Sequence, residues 1–288
     1  MKILLLNNGI HVKNLNALLK YKNIQYYIIS GNNIDNINTS IFDVVYSPCL
    51  PIDVSKYPDT KFLFGPHFSV FPERQQIDII RQSKNVIYIQ PSNWARDVWR
   101  NNIYCKDVRI ESLPFGVDTE KFNEIKPINQ RNNVFVYFKR RNPNELNIIK
   151  KFLESLNISF KIFDYVRKYD ETEYINYLHE SKFGIWLDAH ESQGFALEEA
   201  LSCNVPLLVW NVFSMNQENG STYENIPATT IPYWDSTCGE NFIHPNELLH
   251  TFNKFTNNIN NYKPRDYILN NLSIKKCEEK FIELVNNI

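Results

Sequence analysis

Short apolar runs alternate with longer polar stretches along the whole chain. The runs predicted to be β-strands are Ile3–Leu6, Gln25–Ile29, Asp43–Tyr46, Lys61–Phe64, Val86–Ile89, Val134–Phe138, Phe160–Phe163, Phe183–Leu187, Pro206–Trp210 and Ala228–Ile231. Most of them are continuously apolar instead of alternating, which is typical of parallel strands buried on both faces. The pattern therefore predicts an α/β fold with parallel sheets.

Helices are predicted in several of the polar stretches between these strands. They cover Lys13–Tyr21, Arg74–Gln82, Asn144–Leu156, Glu171–Glu180 and Phe195–Cys203. Ser273 is placed to cap one more helix near the C-terminus. The three-and-four spacing of its apolar residues indicates one buried face, formed by Ile274, Cys277, Phe281 and Leu284.

The alternation of strand and helix is interrupted once, after the Pro/Gly-containing segment Leu113–Asp118. This break predicts two open α/β domains, at 1–117 and 118–265, followed by a C-terminal helical segment, 266–288, that can pack back toward the first domain. A single large doubly wound sheet is the alternative. Ligands of open parallel sheets bind at the carboxyl ends of the strands, so functional residues are expected directly after strands, in a cleft between two facing domains.

Composition and charge narrow the class of protein. Of 288 residues, 43% are hydrophobic and 22% are charged, which is typical of a soluble globular protein, and no apolar run approaches the roughly 20 residues of a membrane span. With 31 Lys+Arg against 32 Asp+Glu there is no general basic field, so nucleic acid is not an expected partner. The odd number of scattered cysteines and the short apolar start, too short for a signal peptide, predict a cytoplasmic protein without a disulfide framework.

The segment between the strands Phe183–Leu187 and Pro206–Trp210 carries the most distinctive chemistry. Gly194 allows a tight turn close to a ligand, and the helix after it directs its N–H groups toward the carboxyl end of the strand, where a phosphate can bind. Glu191 and Glu199 stand on either side of this helix start, and each carboxylate can accept hydrogen bonds from two neighbouring hydroxyls. The alternative is that both belong to a solvated helix face.

These residues resemble a known family. Glu191, seven residues and then Glu199, with Gly194 in the interval, resembles the signature of glycosyltransferase family 4. Leu113–Phe122 is similar to the interdomain element of that family, and Pro91–Trp94 resembles the serine-containing turn before it. The resemblance covers nearly the whole chain. It implies the GT-B fold, with two facing Rossmann-like domains and an interdomain cleft, and a retaining enzyme.

The resemblance also implies roles for individual residues. Glu199 would hold the ribose hydroxyls of a nucleotide sugar, and Glu191 would act as a catalytic residue against the donor sugar. The backbone amides around Gln193, Gly194 and Phe195 would face the sugar and the diphosphate. The implied partners are a nucleotide-diphosphate sugar and a hydroxyl of a glycan or other acceptor, and the implied enzyme is a hexosyl- or pentosyltransferase.

Three cations directly follow the strand Val134–Phe138. Members of the family use an Arg and a Lys near this point, since fixed cations stabilise the charge of the departing diphosphate. The sequence departs from the family here, because the position of the family's Lys is taken by Asn144. Lys139 is therefore predicted as catalytic and Arg140 and Arg141 as donor-binding, without deciding which of them points inward. A solvated basic turn is the alternative.

Two further site residues are predicted in the first domain. His67 follows a strand, and the resemblance implies a catalytic residue that hydrogen-bonds the donor sugar; a purely structural histidine is the alternative. Gly9 ends the first strand, where family members carry a glycine-bearing loop near the donor phosphates and acceptor.

No metal or other cofactor is expected. No Asp-x-Asp ends a strand, and no cluster of His, Cys or carboxylate residues has the spacing of metal ligands. This agrees with the implied GT-B chemistry, in which side chains and a helix dipole replace a divalent ion. The alternatives to transfer are a noncatalytic nucleotide-sugar-binding module and a GT-B enzyme of the epimerase or hydrolase type.

Overall fold

Two parallel sheets organise the chain, one in each of two units. The computed structural model describes residues 1–66, 71–81 and 83–288. The first unit contains Met1–Gly116 and Ile274–Ile288, and the second contains Val117–Ser273. The second unit therefore ends at Ser273, whereas the sequence placed its end at residue 265. The chain after Ser273 returns to the first unit.

The sheet of the first unit has the strand order β2-β1-β3-β4-β5-β6, with parallel pairing throughout. Its strands are β1 (Lys2–Asn7), β2 (Gln25–Ser30), β3 (Val44–Ser47), β4 (Phe62–Phe64), β5 (Val86–Gln90) and β6 (Ile110–Ser112). The helices that accompany them are α1 (Val12–Leu18), α2 (Arg74–Ile80) and α3 (Asn93–Arg100). The inner strands are buried along their length because parallel strands are covered on both faces.

The sheet of the second unit has the order β11-β10-β9-β7-β8 and is also parallel. Its strands are β7 (Asn133–Lys139), β8 (Lys161–Asp164), β9 (Ser181–Asp188), β10 (Leu207–Trp210) and β11 (Gly239–Phe242). Its helices are α4 (Pro143–Ser155), α5 (Glu171–His179), α6 (Phe195–Ser202), α7 (Leu248–Asn257) and α8 (Pro264–Asn271).

The strand order of this second sheet reverses between β7 and β9. After β7 the chain moves outward to β8, and it then returns to the other side of β7 to form β9. The connections after β7 and β9 leave in opposite directions, so a crevice opens at the carboxyl ends of these two strands. The fold therefore directs attention to the residues that follow β7 and β9.

The last helix, α9 (Ile274–Asn286), belongs to the first unit. Phe281 packs with its ring centroid 5.9 Å from Tyr21 and 5.8 Å from Tyr46. Gly116 permits a close approach, since a Cβ at that position would lie 2.6 Å from the Cα of Ile274. The predicted apolar face of this helix is thus confirmed for Phe281, and Cys277 is buried beside it.

Most of the predicted elements are confirmed within one to three residues at each end. The predicted strand Ala228–Ile231 is wrong, because the edge strand is Gly239–Phe242. The side-chain oxygen of Asn211 accepts hydrogen bonds from the Thr229 hydroxyl, at 3.0 Å, and the Thr230 amide, at 2.9 Å. The Thr230 hydroxyl donates to the backbone oxygen of Asp188 at 3.0 Å, so the segment crosses the end of the sheet and does not extend it.

Besides β11, the strands and α-helices that were not predicted among the described residues are β6, α3, α7 and α8. Strand β6 has only three residues, too few for a periodic signal, and α3 and α8 are short, with eight residues each. The predicted end of the second helix, Gln82, lies outside the described residues.

The cysteines are free thiols, and most are buried. Burial raises the pKa of Cys203 to about 12 and that of Cys105 to about 11. Such thiols remain protonated and unreactive at neutral pH. In the described part of the chain, no helix combines the length and apolar character that a membrane crossing requires.

We expect Gly184→Ala to destabilise the second unit. A Cβ at position 184, in the middle of β9, would lie 2.7 Å from Cε1 of the buried Phe135 ring, which is held by Phe163, Tyr174 and Trp186. The free energy of unfolding, measured with urea, should fall by about 1–3 kcal/mol. The exposed Lys182→Ala on the same strand is the control and should change it by less than about 0.5 kcal/mol. Equal stability of the two variants would contradict this packing.

Candidate active site

Lys139 and Asp188 are brought together by the register of the sheet. Lys139 is the last residue of β7, Asp188 is the last residue of β9, and the two are paired across the strands. Both side chains therefore lie where the strand order reverses. The apolar residues before them are buried in the sheet, so each polar side chain is the first that its strand presents at this edge.

An ammonium group lies between two carboxyl groups at this edge. Nζ of Lys139 contacts Oε1 of Glu191 directly and lies 3.7 Å from Oδ2 of Asp188. It also lies 4.7 Å from the ring centroid of Tyr165, the residue after β8. The side chains of Lys139, Asp188 and Glu191 are 14%, 1% and 18% exposed, so this is an enclosed ionic cluster.

Burial and charge act against each other in the cluster. Burial raises the pKa of Asp188 well above its ordinary range, and the neighbouring Glu191 raises it further. Burial would also raise the pKa of Glu191, but Lys139 outweighs it and holds that pKa below the usual value. Burial would lower the pKa of Lys139, yet the two carboxyl groups raise it above the usual value. The ammonium and the Glu191 carboxylate are thus the charged pair.

Helix α6 begins immediately beside this cluster. Gly194, the residue before the helix, has φ 93°, a left-handed conformation that favours glycine. A Cβ at this position would contact Glu191 at 3.5 Å, so the turn also places Glu191 close to the start of the helix. The first N–H groups of a helix have no acceptor within the helix, and here they begin at Phe195. The loop and helix together form a potential anion-binding site.

Two adjacent glutamates lie inside α6. Glu199 is only 5% exposed, and its charge contributes, after burial, to the raised pKa values of Tyr169 and Tyr174. Glu198 is fully buried and accepts a hydrogen bond from Nε2 of Gln193 at 3.1 Å; its burial raises its pKa well above the ordinary range. Neither helix carboxyl group lies on a solvated face, and Gln193 is engaged by Glu198.

The two arginines after Lys139 occupy different environments. The guanidinium of Arg141 is buried and donates to both carboxylate oxygens of Glu145, at 2.7 and 2.8 Å. It also donates to the backbone oxygens of Asp188, at 3.2 Å, and Trp210, at 2.7 Å. Arg141 thereby ties together the ends of β9 and β10. This geometry favours a positioning role for Arg141 over the direct donor contact predicted for it.

Arg140 points toward a segment that the sequence left unassigned. Its side chain is 52% exposed, and its Nη1 lies 3.3 Å from Oε1 of Glu218. The second carboxylate oxygen of Glu218 lies 3.0 Å from Nε2 of His190, whose pKa is lowered by burial. Glu218 and Tyr165 are thus site neighbours that sequence reasoning missed. Position directly after β8 was a signal for Tyr165, whereas nothing in the local pattern marks Glu218.

Two further predicted site residues, Gly9 and His67, precede the second unit in the sequence. Gly9 follows β1 and has φ 85°, with open space where a Cβ would stand, so the backbone conformation is what favours glycine there. In the first sheet the strand order reverses between β1 and β3, so Gly9 lies at the position equivalent to that of the cluster in the second sheet. His67 lies outside the described residues.

Potential metal ligands are not grouped in the described residues. Within the ranges 1–66, 71–81 and 83–288, no three or more His, Cys, Asp or Glu side chains are arranged to hold a metal ion. The independence from metal expected from the sequence stays a prediction.

Comparison with known proteins identifies the fold. No family model matches the sequence, and no curated protein matches it. Among solved structures, sucrose-phosphate synthase from Thermosynechococcus elongatus is similar with a TM-score of 0.58 and 9% identity, over 100% of this chain and 98% of that chain. The lipopolysaccharide outer core galactosyltransferase WaaB has a TM-score of 0.57 and 12% identity, over 100% and 99% of the two chains. The N-terminal domain of Candida albicans trehalose-6-phosphate phosphatase has a TM-score of 0.61 and 10% identity, over 99% of this chain and 96% of that chain.

This chain has the GT-B fold. Its two parallel-sheet α/β units match those of GT-B glycosyltransferases over essentially the full length of the chain, which confirms the predicted fold class and the predicted resemblance at the level of the fold. At 9–12% identity the similarity establishes the architecture, and residue roles have to be argued from the site itself.

We expect Arg141→Lys and Arg140→Lys to behave differently. The single ammonium of a lysine at 141 cannot replace both hydrogen bonds to Glu145 and those to the backbone oxygens of Asp188 and Trp210. The free energy of unfolding should therefore fall by about 3 kcal/mol. A lysine at the half-exposed position 140 should change it by less than about 0.5 kcal/mol. Urea unfolding of both variants measures this, and a loss at 140 with none at 141 would reverse the assignment of the two arginines.

Proposed function

We propose that this chain is a retaining, metal-independent glycosyltransferase of family 4. It transfers a hexosyl or pentosyl group from a nucleotide-diphosphate sugar to a hydroxyl of a glycan or other acceptor. The observation that carries the proposal is the enclosed contact of Lys139 with Glu191, directly before the α6 N-terminus, at the point where the strand order reverses. The GT-B fold supports it.

The second unit provides groups suited to each part of the donor. The buried carboxylate of Glu199 accepts hydrogen bonds from the two ribose hydroxyls, because its two oxygens can bind two neighbouring hydroxyls of one sugar ring. The N-terminus of α6 and the ammonium of Lys139 bind the diphosphate. Glu191, held by the Gly194 turn, lies against the transferred sugar, and the backbone amides from Gln193 to Phe195 complete this side of the site.

The chemical step requires stabilisation of the leaving group. The bond between the sugar carbon and the phosphate oxygen breaks, and its electron pair stays on the diphosphate. The acceptor hydroxyl bonds to the same face of that carbon, and its proton passes to the departing diphosphate oxygen, so the configuration is retained. Lys139 stabilises the negative charge that develops on the diphosphate. Because its side chain is enclosed, this interaction is stronger than it would be in water.

The other predicted residues act around this centre. Arg140, half-exposed beside Glu218, is the second cation for the diphosphate. Arg141 holds the strand ends in place. On the first unit, His67 and Gly9 are proposed to contribute to the sugar and acceptor side. A cytoplasmic location is consistent with this use of a nucleotide sugar.

Incubation with a panel of nucleotide sugars tests the activity. Acceptor-dependent release of the nucleoside diphosphate is expected, with the transferred sugar retaining its anomeric configuration by NMR. Release without acceptor would indicate a hydrolase, conversion of the sugar an epimerase, and thermal stabilisation without any turnover a noncatalytic binding module. Any of these three outcomes would replace the proposed transfer.

We expect Glu199→Gln and Lys139→Gln to separate donor binding from chemistry. Glu199→Gln should weaken donor binding by about tenfold, since one charge-assisted hydrogen bond is lost. Lys139→Gln should lower kcat by about 10²–10³-fold, as for a lost leaving-group cation. The control is the partly exposed pair Lys161 and Glu173, changed in the same way. Cooperative thermal unfolding of each variant shows that the fold survives, and wild-type kinetics in both site variants would contradict the assignment.

We expect transfer to survive complete chelation. Lys139 and the helix N-terminus supply the positive charge that a divalent ion supplies in other enzymes. Activity after dialysis against EDTA should stay within about twofold of the untreated enzyme. Loss of activity that manganese restores, and that apo-enzyme stability does not explain, would show that a metal takes part.

A further inference from the structure

Asp188 is the most enclosed ionisable side chain of the cluster, and the proposed chemistry does not use it. Its side chain is 1% exposed. One carboxyl oxygen, Oδ1, accepts a hydrogen bond from the backbone amide of Ala189 at 2.7 Å. The other, Oδ2, is buried and accepts no hydrogen bond from any of the described residues. An ionised carboxylate with a buried oxygen in this state is strongly disfavoured.

The surroundings of Oδ2 explain how this oxygen can be satisfied. Glu191 lies within interaction range and carries the charge that balances Lys139, whose Nζ is 3.7 Å from Oδ2. Two ionised carboxylates enclosed with one ammonium would leave one negative charge without a partner. A proton on Oδ2 removes that charge and turns Asp188 into a hydrogen-bond donor, for which the Glu191 carboxylate is the acceptor.

We propose that Asp188 is protonated in the donor site and donates a hydrogen bond to the Glu191 carboxylate. This arrangement leaves Lys139 available to an incoming diphosphate. The inference rests on the proposed function. With Asp188 neutral, Lys139 has one carboxylate partner, and a diphosphate competes with that single carboxylate. With Asp188 ionised, the ammonium is held by two carboxylates, and the approaching diphosphate meets an additional negative charge. Asp188 is thus a positioning residue that acts through Glu191 and Lys139.

The other groups that face Asp188 do not change charge in the same way. Tyr137, on the neighbouring strand, has a pKa raised well above its usual value by burial, and His190 has one lowered by burial. Arg141 and Thr230 contact the backbone oxygen of Asp188.

Further groups line the same edge at one remove from Asp188. Arg140 and Glu218 face His190, and Tyr165 faces Lys139. A loss of affinity in weakly alkaline solution that depends on Asp188 therefore reports on its own proton.

Binding of nucleoside diphosphates as a function of pH tests the inference. UDP, GDP and ADP are titrated calorimetrically into the full-length wild type and Asp188→Asn, from about pH 7, where the terminal phosphate is already ionised, to about pH 9. Wild-type affinity should fall as the pH rises, by up to about tenfold per pH unit above the pKa of Asp188. The asparagine amide still donates to Glu191 and cannot ionise, so Asp188→Asn should bind with the low-pH affinity of the wild type across the range.

Two further variants distinguish positioning from a general effect. Asp188→Ala removes the hydrogen-bond donor to Glu191. Its affinity for the nucleoside diphosphates should be lower than that of Asp188→Asn by about tenfold or more at every pH. Asp164→Asn changes a carboxyl group at the end of β8, which is separated from β9 by β7, and should keep the wild-type pH profile. Recovery in the asparagine variant but not in the alanine variant is the signature of a required hydrogen-bond donor.

The possible failures are distinguishable. If the wild type binds a nucleotide with an affinity that does not change with pH, or if Asp188→Asn retains the wild-type pH dependence, this inference is overturned and the proposed function stands. If the wild type binds none of the nucleotides at any pH, the proposed function is overturned together with the inference.

The ligand-free protein provides an independent readout of the same proton. A carboxyl group whose pKa is raised on folding stabilises the protein less as the pH rises from its ordinary pKa to its raised one. The difference in Tm between Asp188→Asn and the wild type should therefore grow in favour of the variant with rising pH. A constant difference would show that Asp188 holds no proton in the folded protein and would overturn the inference.

Discussion

The site depends on one enclosed ammonium group and on how its charge is balanced. Lys139 is placed by β7 at the edge of a parallel sheet, where the fold provides little water to solvate it. A charge in this position requires a partner, and Glu191 supplies it from the loop before α6. The same contact that stabilises the folded protein therefore sets the cation and the carboxylate beside the helix N-terminus. A ligand with negative charge has to compete for this ammonium, so the protein's own ion pair sets the affinity of the site.

The strand ends around this ion pair are held by hydrogen bonds from buried side chains. Arg141 donates to the backbone oxygens of Asp188 and Trp210, and the Thr230 hydroxyl donates to the Asp188 oxygen from the other side. These carbonyl groups belong to the last residues of β9 and β10, and buried backbone oxygens need hydrogen-bond donors. The buried polar contacts thus keep the ends of β9 and β10 in one position. A site built on rigid strand ends retains its geometry when a ligand replaces Glu191 as the partner of Lys139.

Much of the fold and part of the site could be predicted from the sequence. Continuous apolar runs such as Val134–Phe138 identified parallel strands, because burial on both faces leaves a local signal. Glu191, Glu199 and Lys139 were singled out by the family resemblance together with their places at or near strand ends, and the structure buries or encloses all three. The edge strand at Gly239–Phe242 was missed, because it has only four residues and Phe242 is its single large apolar side chain.

The parallel α/β architecture follows from local hydrophobicity, and the charged residues of the site were found through the family resemblance and their places near strand ends. How those residues are used depends on contacts that form only in the folded chain. Arg140 and Arg141 are neighbours of the same type, yet one is half-exposed and the other is buried against Glu145, because the chain turns between them, with φ 52° at Arg140. The state of Asp188 likewise depends on Lys139, which lies on another strand, and on Glu191 in the loop that follows β9. Charge balance in a buried site is a property of spatial neighbours, and sequence spacing does not contain it.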